Sequence, residues 1–344
     1  MKKQQLKVAI NGFGRIGRAF LKLAWERDDI EIIAVNDLGS IESISYLLKY
    51  DTVYRTWNHD VRYDNNGTLL IIDGKKVQFL SEKDTTKLPW KDLDIDVVVE
   101  STGLFTSYEK SQFHIDNGAK AVVITAPASI DGGAVAGETI LLGVNEDKLG
   151  TCKITSNGSC TTNAASPLIA ILDNAIGIEK AVLNTAHGYT ASQSLVDAPS
   201  KKDLREGRAA AQNIVPSSTG AAIAVTKAFT KLEGKFDGIS MRVPVPAGSI
   251  VDVTFIAKRN TTREEVNEIL KQASQTEKWK NIFAVTEEPL VSSDILGNLH
   301  ASIADLELTR VVDGNLVKVM GWYDNEMGYT NTLIEHVMKV GEKL

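Results

Sequence analysis

Short β-branched apolar runs alternate with longer stretches of mixed pattern along the first hundred residues. Residues 8–10, 32–35 and 97–99 form the apolar runs, the pattern of strands buried on both faces. Between the first two, Ile16, Ala19, Phe20 and Leu23 recur at helical spacing, which predicts one helix over 15–27 with a single face packed on a sheet. The alternation as a whole predicts βαβ units and a parallel sheet. Asn66-Gly67 then separates residues 61–63 from 69–72, and Asp73-Gly74 precedes 77–79; both dipeptides favour turns with φ > 0 and predict an insertion of antiparallel strands. From about residue 160 the texture changes. An apolar helix is predicted over 164–174, followed by a long Ser/Lys/Arg/Gly-rich stretch, 189–212, of little periodicity and hence a functional loop. Strands at 239–245, 250–256 and 316–320, a helix at 262–275 and a helical end over 329–344 complete an α+β second half.

The chain has 344 residues, which suggests two domains at about 150 residues each. Its 43% hydrophobic and 24% charged composition is that of an ordinary globular protein. No run approaches the roughly 18 consecutive apolar residues of a spanning helix, so membrane roles are not expected. A net charge of −6 argues against a primary nucleic-acid role, yet a small phosphate needs only a few local cations and amides. Two cysteines, Cys152 and Cys160, are too few for a disulfide framework, and the polar start lacks a signal-peptide pattern. The expected location is the cytoplasm.

Candidate chemistry concentrates at four places. Gly12, Gly14 and Gly17 fit G-x-G-x-x-G between a predicted strand and a predicted helix, and Asp37 lies 20 residues past Gly17 at the end of the second strand. Such glycines admit a pyrophosphate to the backbone at a helix N-terminus, and the acidic residue suits a ribose diol and repels a 2′-phosphate, favouring NAD over NADP. Cys160 stands in the small polar run 156–163 directly before an apolar helix, where amide dipoles favour its thiolate; Cys152 lacks that flank and reads as structural. Of the five histidines, His187 ends the apolar run 181–186 and opens a polar loop, which makes it the candidate base. Arg242 lies among strand-like neighbours, where an unpaired charge is costly, so it is expected to face a charged partner.

Taken in order, residues 12–17 with Asn36-Asp37, Glu100-Ser101-Thr102-Gly103, 156–163, His187-Gly188-Tyr189-Thr190, Ser218-Thr219-Gly220, 242–246 and 322–326 resemble the phosphorylating glyceraldehyde-3-phosphate dehydrogenases over essentially the whole chain. The resemblance implies an α/β fold: an NAD-binding Rossmann domain, 1–159, with a C-terminal helix at about 326–344 docking back, and an α+β catalytic and oligomerisation domain, 160–325, with a mainly antiparallel sheet. It implies oxidation and phosphorylation of glyceraldehyde 3-phosphate with NAD and inorganic phosphate, in glycolysis and gluconeogenesis. Cys160 would attack the aldehyde and His187 would take a proton. Cofactor contacts would fall to Gly12, Gly14, Arg15, Ile16, Gly17, Asp37, Lys83, Thr125 and Asn325. Thr190 and Arg242 would hold the substrate phosphate, and Ser159, Thr161, Thr219 and Gly220 the attacking phosphate. The stretch 189–212 would reach a neighbouring subunit in a homotetramer. No metal is expected.

Several positions depart from the commonest family pattern: Gly158, Ser192, Glu206, Ile223 and Met327, with a longer glycine-rich loop at 129–138. The first three bear on phosphate affinity and not on the chemistry. Two other readings share the architecture. A sister dehydrogenase acting on erythrose 4-phosphate is disfavoured by Tyr189-Thr190, which follow the glycolytic pattern. A non-catalytic binding protein is disfavoured by the intact Cys160 and His187.

Overall fold

The computed structural model describes residues 5–200 and 203–344, and the chain divides into two units. The first takes in the described residues up to Ile140, with Asp147–Gly158 and Leu333–Leu344. In chain order it carries strand β1 (Leu6–Asn11), helix α1 (Arg15–Trp25), β2 (Ile30–Asn36), α2 (Ile41–Lys49) and the short pair β3 (Tyr50–Asp51) and β4 (Arg55–Thr56). There follow β5 (Val61–Tyr63), β6 (Leu69–Ile72), β7 (Lys75–Leu80), β8 (Val97–Glu100), α3 (Tyr108–Asp116), β9 (Ala121–Ile124), β10 (Gly137–Thr139) and β11 (Ile154–Ser156).

Nine of these strands form one sheet in the order β10-β11-β9-β8-β1-β2-β7-β6-β5. It is parallel from β10 to β7 and antiparallel from β7 to β5, so the predicted hairpins are an antiparallel edge on a parallel sheet. The apolar runs fill the middle of the sheet: Val8, Val97, Val98 and Val99 are fully buried, as parallel strands covered on both faces must be. From β1 the chain first builds outward through β2 and later returns through β8 on the other side. The carboxyl ends of β1 and β8, where Asn11 pairs with Glu100, therefore flank a topological switch point.

The second unit comprises Leu141–Glu146 and Ser159–Thr332. It runs α4 (Cys160–Ile176), β12 (Ile178–Gly188), β13 (Val215–Ser218), α5 (Ala221–Ala228), β14 (Phe236–Val243), β15 (Ser249–Ala257), α6 (Arg263–Ser274), β16 (Phe283–Thr286), β17 (Ser302–Asp305), β18 (Arg310–Val312) and β19 (Leu316–Tyr323). The sheet order is β13-β14-β12-β15-β19-β17-β16, with β18 also on β19. Its pairings are antiparallel except β12 with β14 and β16 with β17. Leu168, Leu172 and Ile176 of α4 pack with Leu183, Val251, Val253 and Phe255 of the sheet in one core. The stretch 189–212 holds only two single 3₁₀ turns, Leu204–Gly207 and Ala210–Gln212; Lys201 and Lys202 within it lie outside the described residues. The last helix, α7 (Met327–Gly341), gives its residues up to 332 to the second unit and the rest to the first. In the first unit its His336 meets the Thr155 hydroxyl through Nε2 at 3.0 Å and accompanies Asn157 Oδ1 through Nδ1 at 3.1 Å.

Candidate active site

Helix α4 begins at Cys160, four residues before the apolar run that predicted it. The difference lies in the cap. The Ser159 hydroxyl accepts from the Thr162 N–H at 3.0 Å while the Thr162 hydroxyl accepts from the Ser159 N–H at 3.2 Å, a reciprocal capping box that turns a polar, loop-like run into the first helical turn. Gly158, at φ +66°, supplies the left-handed bend just before it. Cys160 thus occupies the first helical position, among N–H groups without intrahelical partners.

Strand β12 carries the base. Its inward positions are Leu183, Thr185 and His187, all buried, while Val182 faces out. In the parallel register of β12 on β14, Thr185 pairs with Ser240 and His187 with Arg242, so the two cationic-type side chains emerge side by side. His187 Nε2 lies 3.3 Å from Cys160 Sγ. Nδ1 lies 2.6 Å from the Gly188 carbonyl, which only accepts; with the proton on Nδ1 toward that carbonyl, Nε2 is left to accept from the thiol, whereas the Arg242 contact at the same nitrogen favours the other tautomer. Arg242 Nη1 stands 2.6 Å from the same Nδ1 and donates to the Gly188 carbonyl at 3.3 Å.

Burial and the adjacent Arg242 charge push His187 down to about 3, against a weaker lift from Gly188, so the imidazole is neutral at physiological pH. Burial also pushes the Cys160 thiol up, opposed by Arg242, by the Thr161 side chain and by nearby N–H groups. The amides at the head of α4 act toward the thiolate and desolvation acts more strongly against it, so the resting pair is thiol and imidazole. The charged partner expected for Arg242 is not a carboxylate of the described residues. Among the described residues no carboxylate lies within ion-pair distance of it, and its buried Nε has no hydrogen-bond partner. A half-buried guanidinium so placed suits an anion brought from outside.

Residues 6–108 match the family described as glyceraldehyde 3-phosphate dehydrogenase, NAD binding domain, and residues 159–325 match its C-terminal domain. Over 342 residues, covering 98% of this chain and 99% of the relative, it is 45% identical to glyceraldehyde-3-phosphate dehydrogenase 2 of Streptomyces avermitilis. It is 44% identical over 342 residues, 97% of this chain and 99% of the relative, to glyceraldehyde-3-phosphate dehydrogenase of Borreliella burgdorferi. The chain belongs to the glyceraldehyde-3-phosphate dehydrogenase family. A fungal member, glyceraldehyde-3-phosphate dehydrogenase B of Aspergillus oryzae, is 42% identical over 340 residues, 98% of this chain and 99% of the relative.

The family's NAD-binding domain has a dinucleotide cradle in the first unit. Gly12 has φ +93°, and a Cβ there would lie 2.5 Å from the Thr102 nitrogen; a Cβ on Gly17 would lie 2.3 Å from the Gly12 carbonyl. Only glycine satisfies both contacts. Gly14 is the N-cap of α1 and has no side chain with which to cap it. Asp37 closes the loop from below, accepting from the Phe13 N–H at 2.7 Å and the Gly39 N–H at 2.8 Å. Beneath Gly12 the Ser101 hydroxyl donates to its carbonyl at 2.6 Å, and buried Glu100 accepts from Asn11, His114 and Thr102. These residues fit NAD: a backbone opening that side chains would fill, a helix N-terminus with a glycine cap and an acidic residue beyond it.

The remaining predicted residues fall as follows. Arg15 pairs with Asp51 at 2.8 Å at the start of α1, beside Ile16. Lys83 is exposed after β7, and the Thr125 N–H donates to the Glu100 carbonyl after β9. In the second unit, the Thr190 hydroxyl lies 3.1 Å from Ser192, and Thr219 accepts from the Ala221 N–H just before α5, with Gly220 as the exposed N-cap of that helix. The Asn325 carbonyl oxygen accepts from the Gly248 N–H at 3.1 Å and the Ser249 hydroxyl at 3.2 Å. The other histidines serve elsewhere: His114 and His336 are buried in the first unit, His59 sits between Glu26 and Asp73, and His300 is near Asn298. The structure therefore gathers Cys160, His187, Arg242 and Thr161 and shows no hydrogen bond from Thr219 or Gly220 to that group among the described residues. Two partners carried no assigned role in the sequence, Tyr323 and Thr185. The signal for Thr185 was a lone hydroxyl inside the apolar run 181–186.

Proposed function

We propose that this chain oxidises and phosphorylates glyceraldehyde 3-phosphate with NAD and inorganic phosphate, a reaction of glycolysis and gluconeogenesis in the cytoplasm. The observation that carries this reading is the triad of groups on three elements: a thiol at the head of α4, a neutral imidazole 3.3 Å away, and a guanidinium with no carboxylate partner beside them. Cys160 gives its proton to His187 Nε2 as the sulfur attacks the aldehyde carbon, so the neutral resting pair becomes charged only as the bond forms. Backbone N–H groups of the first turn of α4, with the imidazolium, face the oxygen that gains charge. The imidazolium returns that proton to the oxygen, giving the hemithioacetal hydroxyl, and takes it back as the carbon is oxidised, leaving a thioester on Cys160. NAD, when bound, accepts the hydride from that carbon. Inorganic phosphate displaces the sulfur and yields 1,3-bisphosphoglycerate, regenerating the thiol.

Arg242 and Thr190 are assigned to the substrate phosphate; Ser159, Thr161, Thr219 and Gly220 to the attacking one. Gly12, Gly14, Arg15, Ile16, Gly17, Asp37, Lys83 and Thr125 are assigned to the dinucleotide and Asn325 to its carboxamide. The second unit leaves Val182 and Ile223 exposed at a hollow of about 880 Å³ and Ile239 exposed on β14, which supports self-association as a homotetramer. The test is the dependence of NADH formation on inorganic phosphate with glyceraldehyde 3-phosphate, with erythrose 4-phosphate as comparison.

A further inference from the structure

Glu100 ends β8 beneath the dinucleotide loop, and its side chain is fully enclosed. Among the described residues its one partner within ion-pair distance is His114, which burial pushes down against a weaker lift from Glu100, so the imidazole is neutral. Every contact of the carboxylate brings a proton to it. The Trp90 indole N–H only donates, so at 2.9 Å it occupies His114 Nδ1 and puts the ring proton on Nε2, 2.9 Å from Glu100 Oε2. Asn36 is oriented by the backbone of Glu82, which donates to its oxygen at 2.9 Å and accepts from its nitrogen at 3.1 Å. That nitrogen also donates to the Asn11 oxygen at 2.8 Å, which turns the Asn11 nitrogen to Glu100 Oε2 at 2.6 Å. The Thr102 hydroxyl accepts from the Leu104 N–H at 3.0 Å, and both it and the Thr102 N–H donate to Oε1. Four donors leave the carboxylate no place for a proton, so it is a buried anion held by hydrogen bonds alone.

We propose that Glu100 is a positioning residue for NAD: its two oxygens tie the loop 101–104 to a fixed interior frame and set the Thr102 edge of the cradle before the cofactor binds. The inference rests on the assignment of the first unit's glycine loop to the dinucleotide. Two of the four donors, on Asn11 and His114, are locked from behind by Asn36 and Trp90 and cannot turn. The other two belong to Thr102, whose nitrogen would lie 2.5 Å from a Cβ on Gly12. A neutral isostere therefore fails at a definite place. Glutamine has one acceptor oxygen, and the locked donors claim it, so its amide nitrogen faces Thr102. The Thr102 hydroxyl can turn to accept, but its N–H cannot, and the loop must shift against Gly12.

The test is NAD binding by titration calorimetry, with the unfolding midpoint of each variant measured alongside. Glu100→Gln is expected to weaken binding roughly tenfold to a hundredfold, the worth of hydrogen bonds to a charged group. Thr102→Val removes one donor to Glu100 and the acceptor for Leu104, and weakens binding in the same direction. Thr102→Ser keeps both and binds as the parent does; this pair carries the test if Glu100→Gln does not fold. Trp90→Phe removes a buried hydrogen bond but leaves His114 a proton for Glu100, so it lowers the unfolding midpoint and leaves NAD affinity unchanged. A merely structural Glu100 would instead make affinity follow stability across the set. Unchanged affinity in Glu100→Gln or Thr102→Val, or a loss in Trp90→Phe as large as in Glu100→Gln, overturns the proposal. A parent that binds no NAD overturns the dinucleotide assignment as well; a parent that binds, with variants no different from it, removes the proposal alone.

Discussion

Arg242 is a cation held beside a neutral imidazole, an arrangement that stabilises nothing by itself and suits an incoming anion. Replacing it with methionine is expected to raise KM for the phosphorylated substrate roughly tenfold to a hundredfold, the worth of a charge-assisted hydrogen bond, with a smaller change in kcat. The same variant removes a cause of the low His187 value, so the imidazole titrates at higher pH, which NMR of the ring reads directly. Cys160→Ser abolishes turnover and leaves NAD binding intact; substantial turnover by the serine variant contradicts the nucleophile assignment. Buried His187 and His336 both stand near 3 in the folded protein against about 6.5 unfolded. The unfolded chain therefore binds more protons between those values, and stability falls as pH drops through that window, by about 1.4 kcal/mol per unit for each histidine. Acid titration of denaturant midpoints measures this, and a flat profile from pH 6 to 4 would refute the neutral buried state. His187 was legible in the sequence as the polar end of an apolar run. Its tautomer was not, because that depends on the Gly188 carbonyl and on a residue 55 positions away.

Two short elements carry the function, and both depend on local backbone chemistry. The capping box of Ser159 and Thr162 sets where α4 begins and so where the thiol sits. Ser159→Ala is expected to cost about 1 kcal/mol in unfolding experiments and to lower kcat, because the first turn frays. At the dinucleotide loop, Gly17→Ala places a methyl against the Gly12 carbonyl, so NAD affinity collapses while alkylation of Cys160 proceeds as in the parent. Asp37→Ala is expected to relax the preference for NAD over NADP and also to weaken NAD itself, since the carboxylate ties Phe13 and Gly39 into the loop. Elements with a local signature were legible: α1 from its periodicity, the β5–β7 hairpins from Asn66-Gly67 and Asp73-Gly74. The start of α4 was read four residues late, because a capping box looks like a loop until its two hydroxyls are seen to close it.

The division into a parallel sheet with an antiparallel edge and a mixed second sheet follows from how the strands pair, and only part of that is written locally. The alternation of apolar runs identified the first sheet, and the motifs in order identified the family. What no window of sequence contained was the parallel register of β12 on β14, which brings His187 to Arg242, or the three-strand span that lets Tyr323 reach Thr161 and Thr185. The exposed apolar face of the second unit is where the proposed self-association is tested. Sedimentation is expected to show a tetramer, and Val182→Lys or Ile239→Lys is expected to shift it toward smaller species. The central claim is tested most directly by following NADH absorbance with glyceraldehyde 3-phosphate and NAD as inorganic phosphate is added or withheld. Turnover that requires phosphate is the predicted result; equal turnover without it would mean that water resolves the thioester, and would contradict the assignment of a second anion site.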